Sequence, residues 1–281
     1  AKPILSEDLW GGAMSMPAIG PLSLADLRAV FGGGPGPIGL RDYLRGGVLV
    51  PVSSATSAVP ALSPVSLAAY RGARNALDVD YEIIGGGGGG GRGTVNRPVA
   101  ADRCRIDPPF AGSPGGASRI SLASVTLAEA GGGLGGKGQC EAEASLCWAV
   151  AREYAGCPGE ASPFGPGGAK TPANNHGADA PPGSYGAGGA GAGGDNYDTY
   201  DEPGYPGTGG QAGTYVTGTL LVDVGQSLRL QSGAPGVGGS GASYVGGRGA
   251  GGLVRLSHAS RAGPVVHQVV GGLGADRVVT W

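Results

Sequence analysis

The sequence predicts a mainly β and irregular protein. Its body is a glycine-rich, polyglycine II-like bundle with short β-strands, preceded by a small N-terminal region of short helical turns and carrying one inserted helix at about 139–155. Three observations predict this. The chain has 62 glycines and 22 prolines among 281 residues, together about 30 % of it. The glycines are sparse over residues 1–80 and then gather in runs. Those runs are entered and left by β-branched segments such as Tyr81–Ile84 and Tyr215–Val224.

Glycine loses more backbone freedom on folding than any other residue, so ordered glycine must be held by something. Collagen needs glycine at every third position, and Gly188-Gly189-Ala190-Gly191-Ala192-Gly193-Gly194 breaks that period. A flexible linker is the default for glycine tracts, but the strand-flanked placement suits glycine used as a packing surface. Extended threefold helices meet that need. Without side chains they approach closely and bond to neighbours in several directions. The seven residues Gly85–Gly91 would span about 22 Å at about 3.1 Å per residue.

Residues 1–80 form the first predicted unit. They hold three related segments: Pro21–Arg28, Pro37–Leu44 and Pro64–Arg71. Each reads Pro, a branched aliphatic residue, Ser or Gly, then Leu and a short amphipathic turn. Ser23 and Ser66 suit N-caps, with Asp26 completing a capping box in the first copy. The apolar sets Leu24 and Leu27, Leu40, Tyr43 and Leu44, and Leu67 and Tyr70 give sticky faces on helices too short to stand alone. They are the candidate docking residues, with either one another or a second chain as partner.

Residues 81–281 form the second unit. Val79–Ile84 leads into the glycine run, and Arg119–Leu127 reads as one loosely alternating strand ahead of Gly131-Gly132-Gly133. The helix of about 139–155 has acidic residues in its first turns and is stopped by Gly156 and Pro158; the whole insertion runs over 139–157. Thr214–Val224 and Ser227–Leu230 flank Gly225-Gln226 as a hairpin. Leu253–Ser257, Pro264–Val270 and Arg277–Trp281 are further strands.

The sequence offers no catalytic constellation, so no enzyme, cofactor or metal site is expected. His176, His258 and His267 are isolated from one another. Lys137 follows a glycine-rich stretch, but Gly138 stands where a phosphate loop needs Ser or Thr for the metal ion. No nucleophile-elbow pattern is present. With 14 % charged residues and a net charge of −2, the chain has no basic field for nucleic acid. No stretch of about 20 apolar residues spans a bilayer, and Ala1-Lys2-Pro3 opens without the apolar core of a secretory signal.

Four cysteines are present. Cys140 and Cys147 would lie about 10.5 Å apart along one helix face, beyond the roughly 7 Å that a bond tolerates. Pairing of Cys157 with either one across the helix stop is more reasonable; free buried thiols are the alternative. The most polar segment is Asp195–Glu202, inside a Tyr-rich loop expected at 185–215. Its acid spacing does not fit a calcium loop. It reads either as a solvated loop or as a recognition loop, because Tyr with Gly, Ser and Asn makes contact area at low entropic cost. Tyr185, Asp195, Tyr197, Asp198, Tyr200, Asp201 and Tyr205 are the candidate receptor-binding residues.

Several of these segments carry a family likeness. Pro21–Phe31 with Gly32-Gly33-Gly34, then Ile38–Tyr43 with Arg45-Gly46-Gly47, resemble the opening of many tailed-bacteriophage tail-fibre and minor tail proteins. Pro64–Leu67 with Tyr70-Arg71-Gly72-Ala73 resembles a second copy. Tyr81–Ile84 running into Gly85–Gly91, and Gly213–Leu230 with the runs that follow, are similar to glycine-rich domains of phage tail proteins. The distal adhesins of T-even-type phages use such runs as a sandwich of polyglycine II helices with receptor-binding loops at its end. The likeness covers about two thirds of the chain, and the 139–157 insertion fits no part of it. The resemblance implies a virion tail protein. Residues 1–80 would dock to other tail proteins, the glycine-rich part would project towards a host cell-surface receptor, and the chain would form a homo-oligomer, for which a trimer is one option and no heptad run demonstrates it. A tail-tip or capsid decoration without receptor is the alternative.

Overall fold

The computed structural model describes residues 15–34, 36–93, 111–138, 155–194, 206–240, 244–260, 263–271 and 275–281. Within them the β-branched runs form eight strands: β1 (Ala76–Ile84), β2 (Ser118–Leu122), β3 (Val125–Ala130), β4 (Tyr215–Asp223), β5 (Ser227–Gln231), β6 (Leu253–Ser260), β7 (Gly263–Val270) and β8 (Asp276–Thr280). They build two four-stranded antiparallel sheets, ordered β4-β1-β6-β7 and β3-β2-β5-β8. The hairpin expected across Gly225-Gln226 is therefore corrected: β4 and β5 belong to different sheets, and the turn carries the chain from one to the other. The protein is mainly β with little helix.

Alternation along the strands makes the two sheets face each other. Val79 and Ile83 of β1, Val254 and Leu256 of β6, Ile120 of β2 and Leu228 and Leu230 of β5 share one buried core. Each such aliphatic side chain contributes about 1.5–3 kcal/mol by leaving water, so a core of this kind needs few aromatics. On the outer face of β1, Glu82 accepts from Tyr215 and Arg255, and Asp80 accepts from Thr219. Arg119–Leu127 is a correction to the sequence reading. It is not one strand but part of the β2–β3 hairpin, which turns at Ala123-Ser124. Ala123 takes φ +50 there, a conformation usually given to Gly or Asn, so no turn residue announces it.

Six strands run directly into glycine-rich segments. β1 continues into 85–93, β3 into 131–138 and β5 into 232–240; 111–117 leads into β2, 206–214 into β4 and 244–252 into β6. These segments make no sheet. Along the central run, the N–H groups of Gly85, Gly88 and Gly91 donate to Thr214, Gln211 and Thr208. Those of Gly86 and Gly89 donate to Gly116 and Ser113, and those of Gly87 and Gly90 to Ala250 and Gly247. The partner segment therefore changes with every residue and returns after three. The carbonyls follow the same period towards other segments. Gly86 and Gly89 accept from Gly133 and Gly136, Gly87 and Gly90 from Gly236 and Gly239, and Gly88 and Gly91 from Gly189 and Ala192. A Cβ on any of Gly85–Gly91 would overlap a neighbouring carbonyl oxygen, so only glycine fits. Residues 186–194 run through the bundle in the same manner, with Ala187, Ala190 and Ala192 fully buried.

The outermost segments limit their free donors. Pro114 and Pro158 each sit between two residues whose N–H groups are bonded to neighbouring segments, and Pro235 precedes one such residue; proline itself brings no N–H to satisfy. Elsewhere a side chain caps the outward amide: Asp179 takes that of Arg248, Glu160 that of Ala212 and His176 that of Val245. Strand edges are protected by the same means.

Residues 15–74 pack as a region of their own. Ser23 caps α1 (Leu24–Phe31), and Asp26 closes the capping box. The second and third repeats form 3-10 helices, Leu40–Tyr43 and Leu67–Tyr70, and a further 3-10 helix spans Ser54–Thr56. Ser66 makes no side-chain cap, contrary to the sequence reading. The sticky faces satisfy one another: Leu27, Tyr43 and Tyr70 are buried with Met16, Phe31, Val50 and Val59, and Leu40 and Leu67 pack against them. Leu44 is half-buried and Leu24 exposed. The region is fixed to the sandwich by the Arg74–Asp223 ion pair at 2.7 Å, by Ser54 donating to Asp78, and by the Val224 N–H donating to the Asn75 carbonyl.

Of the predicted helix at about 139–155, only Ala155 lies within the described residues, and Gly156 and Cys157 are extended members of the bundle. Cys140 and Cys147 lie outside the described residues. Cys157 is disulfide-bonded, which removes the free-thiol alternative for it, and its partner is outside the described residues.

Candidate functional site

The glycine segments place the chain's connections at two ends. At the sandwich end are the hairpin turns, Ser162–Gly165 and Ser184-Tyr185. The other end is marked by bonds between the last described residues of each segment. Gly93 bridges Tyr244, Gly156 bridges Thr171, Asn174 donates to Gly194, Cys157 donates to Gly207, and Gly112 donates to Gly136. The segments flanking 94–110, 139–154, 195–205 and 241–243 all terminate at this far end. The described residues that flank these four intervals thus lie together at one end of a side-chain-poor body.

The candidate recognition residues separate. Asp195, Tyr197, Asp198, Tyr200, Asp201 and Tyr205 lie outside the described residues, but the chain that bears them leaves the bundle at Gly194 and re-enters at Pro206 on the far end. Tyr185 is at the opposite end. Phe164 stands edge-on between Tyr185 and Tyr215, with centroids 5.9 and 5.7 Å away, and Ser162 donates to the Tyr185 carbonyl. The 185–215 stretch is therefore not one continuous loop, because 186–194 and 206–214 are packed bundle segments.

The far end also carries a polar group that the sequence reading passed over. Val245 N–H donates to His176 Nδ1 at 3.0 Å, which leaves Nε2 as the protonated nitrogen of the neutral ring. The His176 ring meets Tyr244 edge-on at 6.1 Å, and the Tyr244 hydroxyl reaches Asn174 Oδ1 at 3.3 Å. Asn174 adopts φ +60, which Asn tolerates better than most residues. The only sequence signal was the polar triplet Asn174-Asn175-His176 in a tract rich in Pro, Gly and Ala.

Among the described residues no three of His, Cys, Asp and Glu come together to hold a metal ion. No helix among them is long and apolar enough to cross a membrane. No protein-family model, curated protein or solved structure matches the chain.

Proposed function

We propose that the chain is a bacteriophage virion tail protein, a tail fibre or tail tip, whose glycine-rich part is a polyglycine II-like bundle presenting host-recognition loops. The observation that carries this reading is the three-residue cycle of partners along Gly85–Gly91, together with the exit of 94–110, 139–154, 195–205 and 241–243 at a single end. A rigid body without side chains has little chemistry of its own, so function moves to the loops at its tip. The disulfide at Cys157, beside that tip, is consistent with an exposed, oxidised setting.

The N-terminal region serves as the attachment end. Its helical faces are used internally, so docking to other tail proteins falls to the apolar side chains it leaves exposed: Ile19, Val48, Val52 and Leu62, with Leu24. The chain acts by binding, with no catalytic step and no cofactor.

Adsorption of particles carrying Tyr197→Ala with Tyr200→Ala tests the reading. Loss of adsorption with normal particle assembly supports it, and unchanged adsorption removes the 195–205 assignment. A tail-tip or capsid decoration without receptor is the second reading. The extensive side-chain-poor body favours it equally, and an interior position of the chain in a virion map would select it.

A further inference from the structure

Two histidines from neighbouring strands meet one tryptophan where the sandwich adjoins the N-terminal region. The register sets Leu256 opposite His267 and His258 opposite Val265, so both imidazoles leave β6 and β7 on the core side, one diagonal apart. Trp281 follows β8 of the other sheet and is held by the β4–β5 turn. Gly225 N–H donates to its carbonyl at 2.6 Å, and its own N–H donates to Gln226 at 3.1 Å. The indole stands edge-on to both rings, with centroids 4.8 Å from His258 and 5.1 Å from His267. His258 Nδ1 and Trp281 Nε1 are buried without a hydrogen-bond partner among the described residues. His258 also lines a cleft with Leu77 and Val224, and the opposite wall is Phe31, Val48 and Val52 of the N-terminal region.

We propose that His258, His267 and Trp281 form an acid-sensitive clasp, whose opening on protonation of the two imidazoles loosens the seam between the sandwich and the N-terminal region. The charged groups around the clasp favour opening. His267 acts on His258, and Arg277 of β8 acts on His267. The carboxylates of the adjoining strand ends are engaged elsewhere, Asp223 by Arg74 and Asp276 by Arg229. The wall made by Phe31, Val48 and Val52 brings no charge. Once one imidazole is protonated, the second must take its charge beside the first and Arg277, with no unpaired carboxylate beside it among the described residues.

Burial, then the neighbouring His267, holds His258 below the ordinary imidazole range. Burial, then Arg277, does the same for His267. The folded chain thus refuses protons that the unfolded chain accepts, and stability drains away as pH falls below about 6.5.

The test uses the full chain carrying Trp10→Phe and Trp148→Phe, so that Trp281 alone emits. Its fluorescence and the rate of proteolytic cleavage around residues 71–75 are followed from about pH 8 to about pH 5. The clasp predicts a red shift of emission and faster cleavage with one shared midpoint below about 6.5, both abolished by His258→Gln with His267→Gln. Emission that stays constant over this range overturns the proposal, as does an unchanged midpoint in the double variant. Should that variant not fold, His258→Phe and His267→Phe taken singly must each move the midpoint. A midpoint unmoved by either overturns the proposal equally.

Discussion

The N–H of Gly88 donates to the carbonyl of Gln211 at 2.9 Å, while the position of its absent Cβ is filled by the carbonyl of Leu134. One glycine is thus gripped by two segments on different sides, and Gly91 repeats the arrangement with Thr208 and Lys137. This double use of a residue without a side chain is what turns a run of seven glycines into packed structure.

Gly88→Ala should therefore be strongly destabilising. The new methyl can be accommodated only by moving the Leu134 backbone, which places the cost at or above the upper end of the about 1–3 kcal/mol typical of overpacking. Gly34→Ala is the control. Nothing lies within 4 Å of its Cβ position, so it should be neutral or stabilising by about 0.4–1 kcal/mol through the unfolded chain. Thermal unfolding of the two variants beside the parent decides the matter; equal melting temperatures would refute the packing account.

A second prediction concerns the junction between sandwich and bundle. Buried Ser118 donates its hydroxyl to the Ile84 carbonyl at 2.6 Å and accepts from the Gly233 N–H at 2.8 Å. Ser118→Ala leaves both backbone groups without that partner. The expected loss is about 1–3 kcal/mol, measurable by denaturant unfolding with an unchanged m-value.

Tyr70 supplies the alkaline prediction. Its hydroxyl is buried and donates to the Tyr43 carbonyl at 2.8 Å. Burial, with a smaller contribution from Tyr43, pushes its pKa up to about 12. The folded chain keeps a proton that the unfolded chain releases near pH 10, so the native state loses stability as pH rises from about 10 to about 12. Tyr70→Phe should lower stability at neutral pH and flatten that alkaline loss. A steep loss that persists in Tyr70→Phe would assign it to another group.

Parts of this architecture were legible in the residues. Tyr81–Ile84 and Thr214–Val224 announce strands by β-branching, and Ser23 with Asp26 announces the first helix cap; Gly225-Gln226 announces a turn but not its kind, because β4 and β5 pair in different sheets and the turn crosses between them instead of closing a hairpin. Other parts were not. Ala123 hides a turn because an ordinary residue takes a positive φ there. The two-sheet sandwich escaped notice because strand pairing depends on distant register. Gly218, for example, stands opposite Tyr81, where a Cβ would strike the tyrosine ring, and nothing near Gly218 in the chain foretells that. The far end was legible only as a polar stretch at 195–202. Its Asn174, His176 and Tyr244 cluster joins residues about 70 positions apart, through bundle neighbours that local patterning does not encode.

Amide hydrogen exchange at Gly85–Gly91 tests the central claim most directly. The account predicts slow exchange, comparable with Val79–Ile83 of β1, because every N–H in the run donates to a bundle carbonyl. Exchange at the rate of an unstructured chain, with β1 still protected, would mean that the glycines are slack after all.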